Sequence, residues 1–263
     1  MDVFNKKGEI KMKKDFNAEK AINTITNGIK DFFAKELNIE SKAVIGISGG
    51  KDSTIAAALL VEALGADRVY GVLMPNGEQH DLVTAMEVCT YLGIEYSVVN
   101  IKDICDQIYT TIPIVAENTN VKINTPPRVR MTILYAYAAA LNGRVINTSN
   151  RSEKYIGYFT KYGDGAGDFA VLNSYTATEV IAIGHALGIP AKYVDKTPED
   201  GLSGKTDEEK LGFTYEELDD YITNNVYPNI STLEKINHMH TISKHKVDVM
   251  PGSKSLFFTN FAF

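Results

Sequence analysis

Residues 46–60 read GISGGKDSTIAAALL, and the fold is decided at Ser48–Ser53, where SGGKDS separates a strand-like run from a helix-like one. AVIGIS, from Ala43, is short and rich in β-branched residues, as a buried strand is; STIAAALLVEAL, ending at Leu64, has the length of a helix and is followed by Gly65 as a C-cap. Between them, Gly49 and Gly50 let the chain turn sharply and aim its N–H groups inward. The helix N-terminus adds a positive dipole, and Ser48 and Ser53 add hydroxyl donors. This is an anion cradle. It is not a Walker A loop, which needs glycine where Ile45 stands and Ser or Thr where Asp52 stands. A carboxylate set among phosphates requires a metal ion between them, so Asp52 reads as a Mg2+ ligand.

Outward from this loop, RVYGVLM (from Arg68), EYSVVNI (from Glu95) and RVINTS (from Arg144) read as further buried strands. DLVTAMEVCTYLG, RVRMTILYAYAAALNG (from Arg128) and TATEVIAIGHALGIP read as helices closed near Gly93, Gly143 and Gly188. That alternation implies right-handed βαβ units, hence an α/β fold: a mostly parallel sheet with helices on both faces, a three-layer α/β/α sandwich. Ligands in such folds sit beyond the carboxyl ends of the strands. Thr214 and Glu217 form a capping-box pattern that opens another helix. The stretch before it, Lys196–Phe213, is a candidate mobile lid or a plain surface loop. Residues 1–15 read as a flexible basic tail and 16–263 as one domain.

The chain has 263 residues, 44% of them hydrophobic, enough for one sizeable core. A net charge of −6 argues against nucleic acid as a partner. Two cysteines, Cys89 and Cys105, cannot make a disulfide framework; both fall in helical patterns and read as small buried residues. Without an apolar run of about 18 residues no membrane span is expected, and the lysine-rich N-terminus is no secretory signal, so a cytoplasmic location is expected. His80, His185, His238 and His240 lack metal-ligand spacing.

NTSNRSEKYIGYFTKYGDGAGDF, from Asn147, follows the fourth strand and so shares the loop's edge of the sheet. Glu153 could share the metal with Asp52. Lys161, Asp164 and Asp168 lie among glycines, a composition that lets backbone approach a ligand closely.

SGGKDS resembles the pyrophosphatase loop (PP-loop) of the N-type ATP pyrophosphatases, a superfamily with an adenine-nucleotide α-hydrolase-like, Rossmann-like fold. The resemblance implies cleavage of ATP between its α- and β-phosphates. The segment GYFTKYGDGAGDF with the preceding Ser152-Glu153, NTPPRVRM from Asn124, GVLMP from Gly71 and DGLSGKTDEEKLGFTYEELDDYI from Asp200 are similar to segments of NAD synthetases, collinear from about Asn17. What that family does implies ATP-dependent amidation of deamido-NAD by ammonia through an adenylated intermediate, a C–N ligase with Mg2+ as cofactor and ATP as co-substrate. The same resemblance implies roles. Asp52 and Glu153 match Mg2+ ligands; Gly46, Ser48, Gly49, Gly50, Lys51 and Ser53 match the ATP and pyrophosphate cradle; Met74, Arg130 and Thr148 match the ATP or adenylate site. Asp164 matches an acid that receives ammonium. Arg128, Tyr158, Lys161, Asp168, His245 and Lys246 match the deamido-NAD surroundings, completed across a homodimer. The alternatives are a PP-loop enzyme that adenylates another acceptor, as GMP synthetase does, and a non-catalytic ATP-binding module. The chain departs from the family pattern at Ala177, where a phosphate-binding lysine is usual, and at Glu199; Lys51, Lys196 and Lys205 are candidates for the missing cation.

Overall fold

Val44 and Ile45 point to opposite faces of one strand and neither exposes any surface. A strand buried on both faces reads as a continuous apolar run, which is why AVIG shows no alternation. The computed structural model describes residues 16–36, 41–79, 81–112, 114, 118–196 and 206–248. The 1–15 tail, His80, Glu199, Lys205 and most of the candidate lid therefore lie outside the described residues. The five strands are β1 (Ala43–Gly46), β2 (Val69–Leu73), β3 (Glu95–Val98), β4 (Arg144–Asn147) and β5 (Phe169–Ala170). They pair in parallel in the order β3-β2-β1-β4-β5. The first four coincide with the four runs read from the sequence, but β3 is not buried as expected: it lies at the edge of the sheet, with Glu95 and Val98 exposed. β5 is two residues long, and its pairing of Phe169 with Ile146 leaves no periodicity to read.

The helices are α1 (Ala18–Glu36), α2 (Lys51–Leu64), α3 (Asp81–Leu92), α4 (Lys102–Thr111), α5 (Thr119–Ala140), α6 (Arg151–Ile156), α7 (Ala177–Ala186), α8 (Ala191–Val194), α9 (Asp207–Leu211), α10 (Tyr215–Asn224) and α11 (Ile230–Val247). Ile45 packs with Ile29, Phe33, Leu59 and Ile183 of α1, α2 and α7 on one face of the sheet. Val44, Val72 and Val145 pack with Cys105 and Leu134 of α4 and α5 on the other. This is the three-layer sandwich. A separate apolar cluster, including Ile156, Leu218 and Ile236, joins α6, α10 and α11 beside it.

α5 begins well before Arg128, the start expected from the sequence. The Asn118 side chain accepts from the N–H groups of Asn120 and Val121, and Pro126 and Pro127 lie inside the helix. Interior prolines normally break a helix because they lack the donor and clash with the preceding turn. Here tertiary packing overrides them: Pro126 is buried, and Pro127 lies so close under Gly163 that a Cβ there would sit 2.8 Å from its own. Around β1 the chain winds one way to β2 and, later, the other way to β4, so the loops after β1 and β4 part at a switch point at their carboxyl ends.

α10 is tied to this edge by a buried carboxylate. Asp219, 4% exposed, accepts from the Ser152 hydroxyl, from Thr178 N–H at 2.9 Å and from Thr178 Oγ1 at 2.8 Å; Ser152 Oγ in turn accepts from Ala177 N–H at 2.9 Å. Burial pushes the Asp219 carboxyl up to about 6 against the pull of these donors. The folded state therefore holds its proton longer than the unfolded one, and this group's contribution to stability falls as pH rises from about 4 to about 6. Asp219→Ala strands several buried donors and is expected to lower unfolding free energy by about 2–4 kcal/mol in denaturant titrations.

Candidate active site

Ile47 N–H still donates to the Val72 carbonyl, at 3.1 Å, so strand geometry persists to the start of the loop. Gly49 then turns at φ +80°, and a Cβ there would meet the Asp81 carbonyl oxygen at 2.8 Å. Glycine is required at that position. Gly50 has ordinary φ of −84° and, having no side chain, leaves the first turn of α2 without a side-chain cap. The loop's hydroxyls hold its shape: Ser48 Oγ accepts from Gly50 N–H at 3.1 Å and lies 3.1 Å from Ser53 Oγ, which also reaches the Gly50 carbonyl. The uncapped helix start and the two hydroxyls converge on one concavity of about 220 Å3, lined also by Lys51, Asp52, Thr148 and Glu153.

Asn150, fully buried, joins the two loops. Its Nδ2 donates to Asp52 Oδ1 at 3.3 Å, its Oδ1 accepts from Glu153 N–H at 3.0 Å, and its own N–H donates to Glu153 Oε2 at 3.0 Å. The last two bonds are a capping box at the start of α6. The two carboxylates named from the sequence are thus brought together by a residue the sequence reading passed over. The Asn-x-x-Glu spacing, the same signal read at Thr214 and Glu217, could have found it.

Electrostatics here are under tension. Burial first, and the Asp52 charge second, push the Glu153 carboxyl up to about 8, with Lys51 and the Asn150 N–H opposing. Lys51 donates to Asp52 Oδ2 at 2.7 Å and is 6% exposed; burial works against its charge, and the Asp52 and Glu153 carboxylates outweigh that, raising its pKa. The buried Tyr215 hydroxyl has no hydrogen-bond partner among the described residues, and its ring lies 5.9 Å from the Lys51 ammonium. No group of three His, Cys, Asp or Glu forms a metal centre among the described residues. Two hard carboxylates beside an anion cradle nevertheless suit Mg2+, which takes one or two protein carboxylates and completes its shell with phosphate and water.

A larger cavity of about 480 Å3 opens beside the loop, between Gly46, Ser48 and Ser53 on one side and Met74, Leu134 and Arg130 on another. Its wall is apolar at Val72, Leu82, Met131 and Ile146, the environment a flat heterocycle needs. Arg130 Nε donates to the Met74 carbonyl at 2.9 Å. Asp164 and Thr148 line both cavities. Burial raises the Asp164 carboxyl, while Thr160 N–H, donating at 2.9 Å, and the Arg130 and Lys246 charges pull it down.

Other residues named from the sequence line neither cavity. Tyr158 Oη donates to Asp207 Oδ1 at 3.1 Å, and Lys246 Nζ donates to the carbonyls of Gly157, at 2.6 Å, and Phe159, at 2.8 Å. Lys161 donates to the His245 carbonyl, and Arg128 Nε donates to the Lys161 carbonyl at 3.3 Å. These five form a second cluster where α11 meets the loop after α6. Asp168 stands elsewhere: it accepts from Val145 N–H at 2.8 Å and Tyr135 Oη at 3.3 Å at the head of β5. The glycines of KYGDGAG serve internal packing, with Gly163 against Pro127, Gly165 against the Phe159 ring and Gly167 against Asn147. Cys89 and Cys105 are buried free thiols; burial pushes Cys89 up to about 12 and raises Cys105, so neither is a poised nucleophile.

Residues 21–251 match the NAD synthase family. The chain belongs to that family. It is 40% identical to an NH3-dependent NAD+ synthetase of Pyrococcus furiosus over 85% of each chain, and 41% identical to one of Thermococcus kodakarensis over 88% of this chain and 90% of the relative. Among solved NAD synthase family folds, the NH3-dependent NAD synthetase of Campylobacter jejuni superposes with TM-score 0.72 at 27% identity, covering 90% of this chain and 99% of that one. The NMN synthetase of Francisella tularensis superposes with TM-score 0.84 at 33% identity, covering 91% of this chain and all of that one (100%).

Glu153→Gln removes the buried charge and keeps the capping acceptor. In chelator and without nucleotide, the variant is expected to be roughly 1–3 kcal/mol more stable than the parent above pH 8, with the gap narrowing as pH falls and closing only below about pH 4.5, where Glu153 is protonated in the folded and the unfolded chain alike. Thermal unfolding across that pH range measures this.

Proposed function

We infer that this NAD synthase family member amidates deamido-NAD with ammonia, consuming ATP and releasing AMP and pyrophosphate. The observation that carries the reading is the Asp52–Asn150–Glu153 arrangement between a phosphate cradle and an apolar slot. The apolar slot receives adenine, and the Ser48–Ser53 loop receives the phosphates. The nicotinate carboxylate attacks the α-phosphorus, the bond to the β-phosphate oxygen breaks, and pyrophosphate departs. Mg2+, when bound, offsets phosphate charge during that step; Asp52 and Glu153 are the residues that would hold it. Ammonia then attacks the acyl carbon and AMP leaves. Ammonium must first lose a proton, and Asp164, a buried carboxyl with a raised affinity for protons at the shared wall of the cavities, is placed to take it. The buried, unactivated cysteines favour free ammonia over glutamine as the nitrogen donor on this chain, and they suit a reducing, cytoplasmic setting.

The cluster of Arg128, Tyr158, Lys161, His245 and Lys246 would face the nicotinate half, whereas Asp168, bonded to Val145 at the start of β5, stands apart from it. None of the five lines a nucleotide cavity, which fits a site completed by a second copy of the chain. Ile104, Ile112, Ile123 and Tyr135 on and beside α4 and α5 are exposed, which supports a homodimer through those helices. Sedimentation is expected to find two chains together, and Ile123→Glu to shift them toward monomer.

The likeness to the Francisella NMN synthetase makes nicotinic acid mononucleotide a second acceptor to weigh. The test supplies MgATP and ammonium with deamido-NAD or with nicotinic acid mononucleotide, and follows amide product, AMP and pyrophosphate. The expected outcome is faster amidation of the dinucleotide, weak activity when glutamine replaces ammonium, and a loss of roughly a hundredfold or more in Asp52→Ala. Faster turnover of the mononucleotide would transfer the reading to that acceptor; pyrophosphate without either amide would overturn both.

A further inference from the structure

The smaller cavity is crowded with carboxyl groups before any nucleotide enters, since Asp52, Asp81, Glu153 and Asp164 all line it. Against them stand two ammonium groups among the described residues, Lys51 and Lys196. A triphosphate tail adds several more negative charges, so at least one cation must be able to turn toward it. Lys51 is not that group: it is nearly sealed from solvent and committed to Asp52 at 2.7 Å. Ala177, where the resemblance led to an expected cation, is 1% exposed and offers only its N–H, to Ser152.

We propose that Lys196 is the pyrophosphate-binding cation of this chain and exchanges Asp81 for the β- and γ-phosphates when ATP binds. Lys196 follows α8 and its C-cap Asp195, and donates to Asp81 Oδ1 in the lining of the same cavity. Both partners are partly exposed, at 27% and 41%, so water screens the pair and little is lost when it opens. Asp81 opens α3, where the helix N-terminus stabilises its charge once Lys196 leaves. The Asp81 carbonyl also abuts Gly49, and Lys196 lines the same cavity as the loop that would take the anion.

The inference rests on the nucleotide half of the reading above and can be tested without the acceptor. Calorimetry with Mg2+ would measure pyrophosphate and AMP binding to the parent chain, Lys196→Met, Lys196→Arg, Asp81→Asn and Lys205→Met. Lys196→Met is expected to weaken pyrophosphate roughly ten- to a hundredfold and leave AMP unchanged, with recovery in Lys196→Arg. Asp81→Asn frees the ammonium and should bind pyrophosphate at least as well as the parent. If the pair were only a strut between α8 and α3, Asp81→Asn would fail as Lys196→Met does, and that result overturns the proposal. So does unchanged pyrophosphate binding in Lys196→Met, or a loss confined to Lys205→Met. Failure of the parent chain to bind either ligand would remove the functional reading as well.

Discussion

Every polar atom of the Asn150 side chain and its own amide is spent on holding two carboxylates on neighbouring loops in one place. An aspartate on α2 and a glutamate on α6 repel each other, and in a buried setting that repulsion is poorly screened. A neutral amide can donate to one and cap the other without adding charge. Asp219 performs the matching task behind it, gripping Ser152 and Thr178 so that α6 and α7 start where they do. The geometry that receives phosphate thus depends on two buried polar residues that would not touch it.

The arrangement trades stability for readiness. Glu153 holds a proton well above the normal carboxylate range, and Lys51 is buried at the limit of what its carboxylate neighbours can support. Tyr215 keeps a buried hydroxyl without a partner among the described residues. Such groups lower the stability of a resting protein, and they mark where a charged ligand is expected to restore balance.

Much of the fold was legible because it follows from local pattern. The four main strands and the glycine-closed helices fall where β-branched runs and capping residues put them. The opening helix was readable too, since Ala21, Ile25, Ile29 and Phe33 recur every fourth residue on one buried face, although the reading did not use it. What escaped depends on distant neighbours. β5 exists only because β4 offers it an edge, and α5 runs through two prolines with Gly163 leaving room for the second, Pro127. The glycines of KYGDGAG looked like ligand-facing backbone and are spacers against Pro127, Phe159 and Asn147. In the site, the strand–loop–helix form was plain in six residues, whereas Asp168 proved to be bonded into the sheet. The choice among candidate cations needed geometry that no spacing contains.

Asp52 and Asn150 are 98 residues apart in the chain. On a ribosome the loop and its helix emerge long before the strand that completes the pair, and β4 pairs with the edge of β1 opposite β2. On the proposed reading, nucleotide affinity is therefore a property of the finished sheet rather than of the loop that carries the motif. A nascent or nicked chain that ends before Asn150 displays the recognisable sequence yet has no completed pocket. Binding of ATP thereby reports that two halves of the molecule have met.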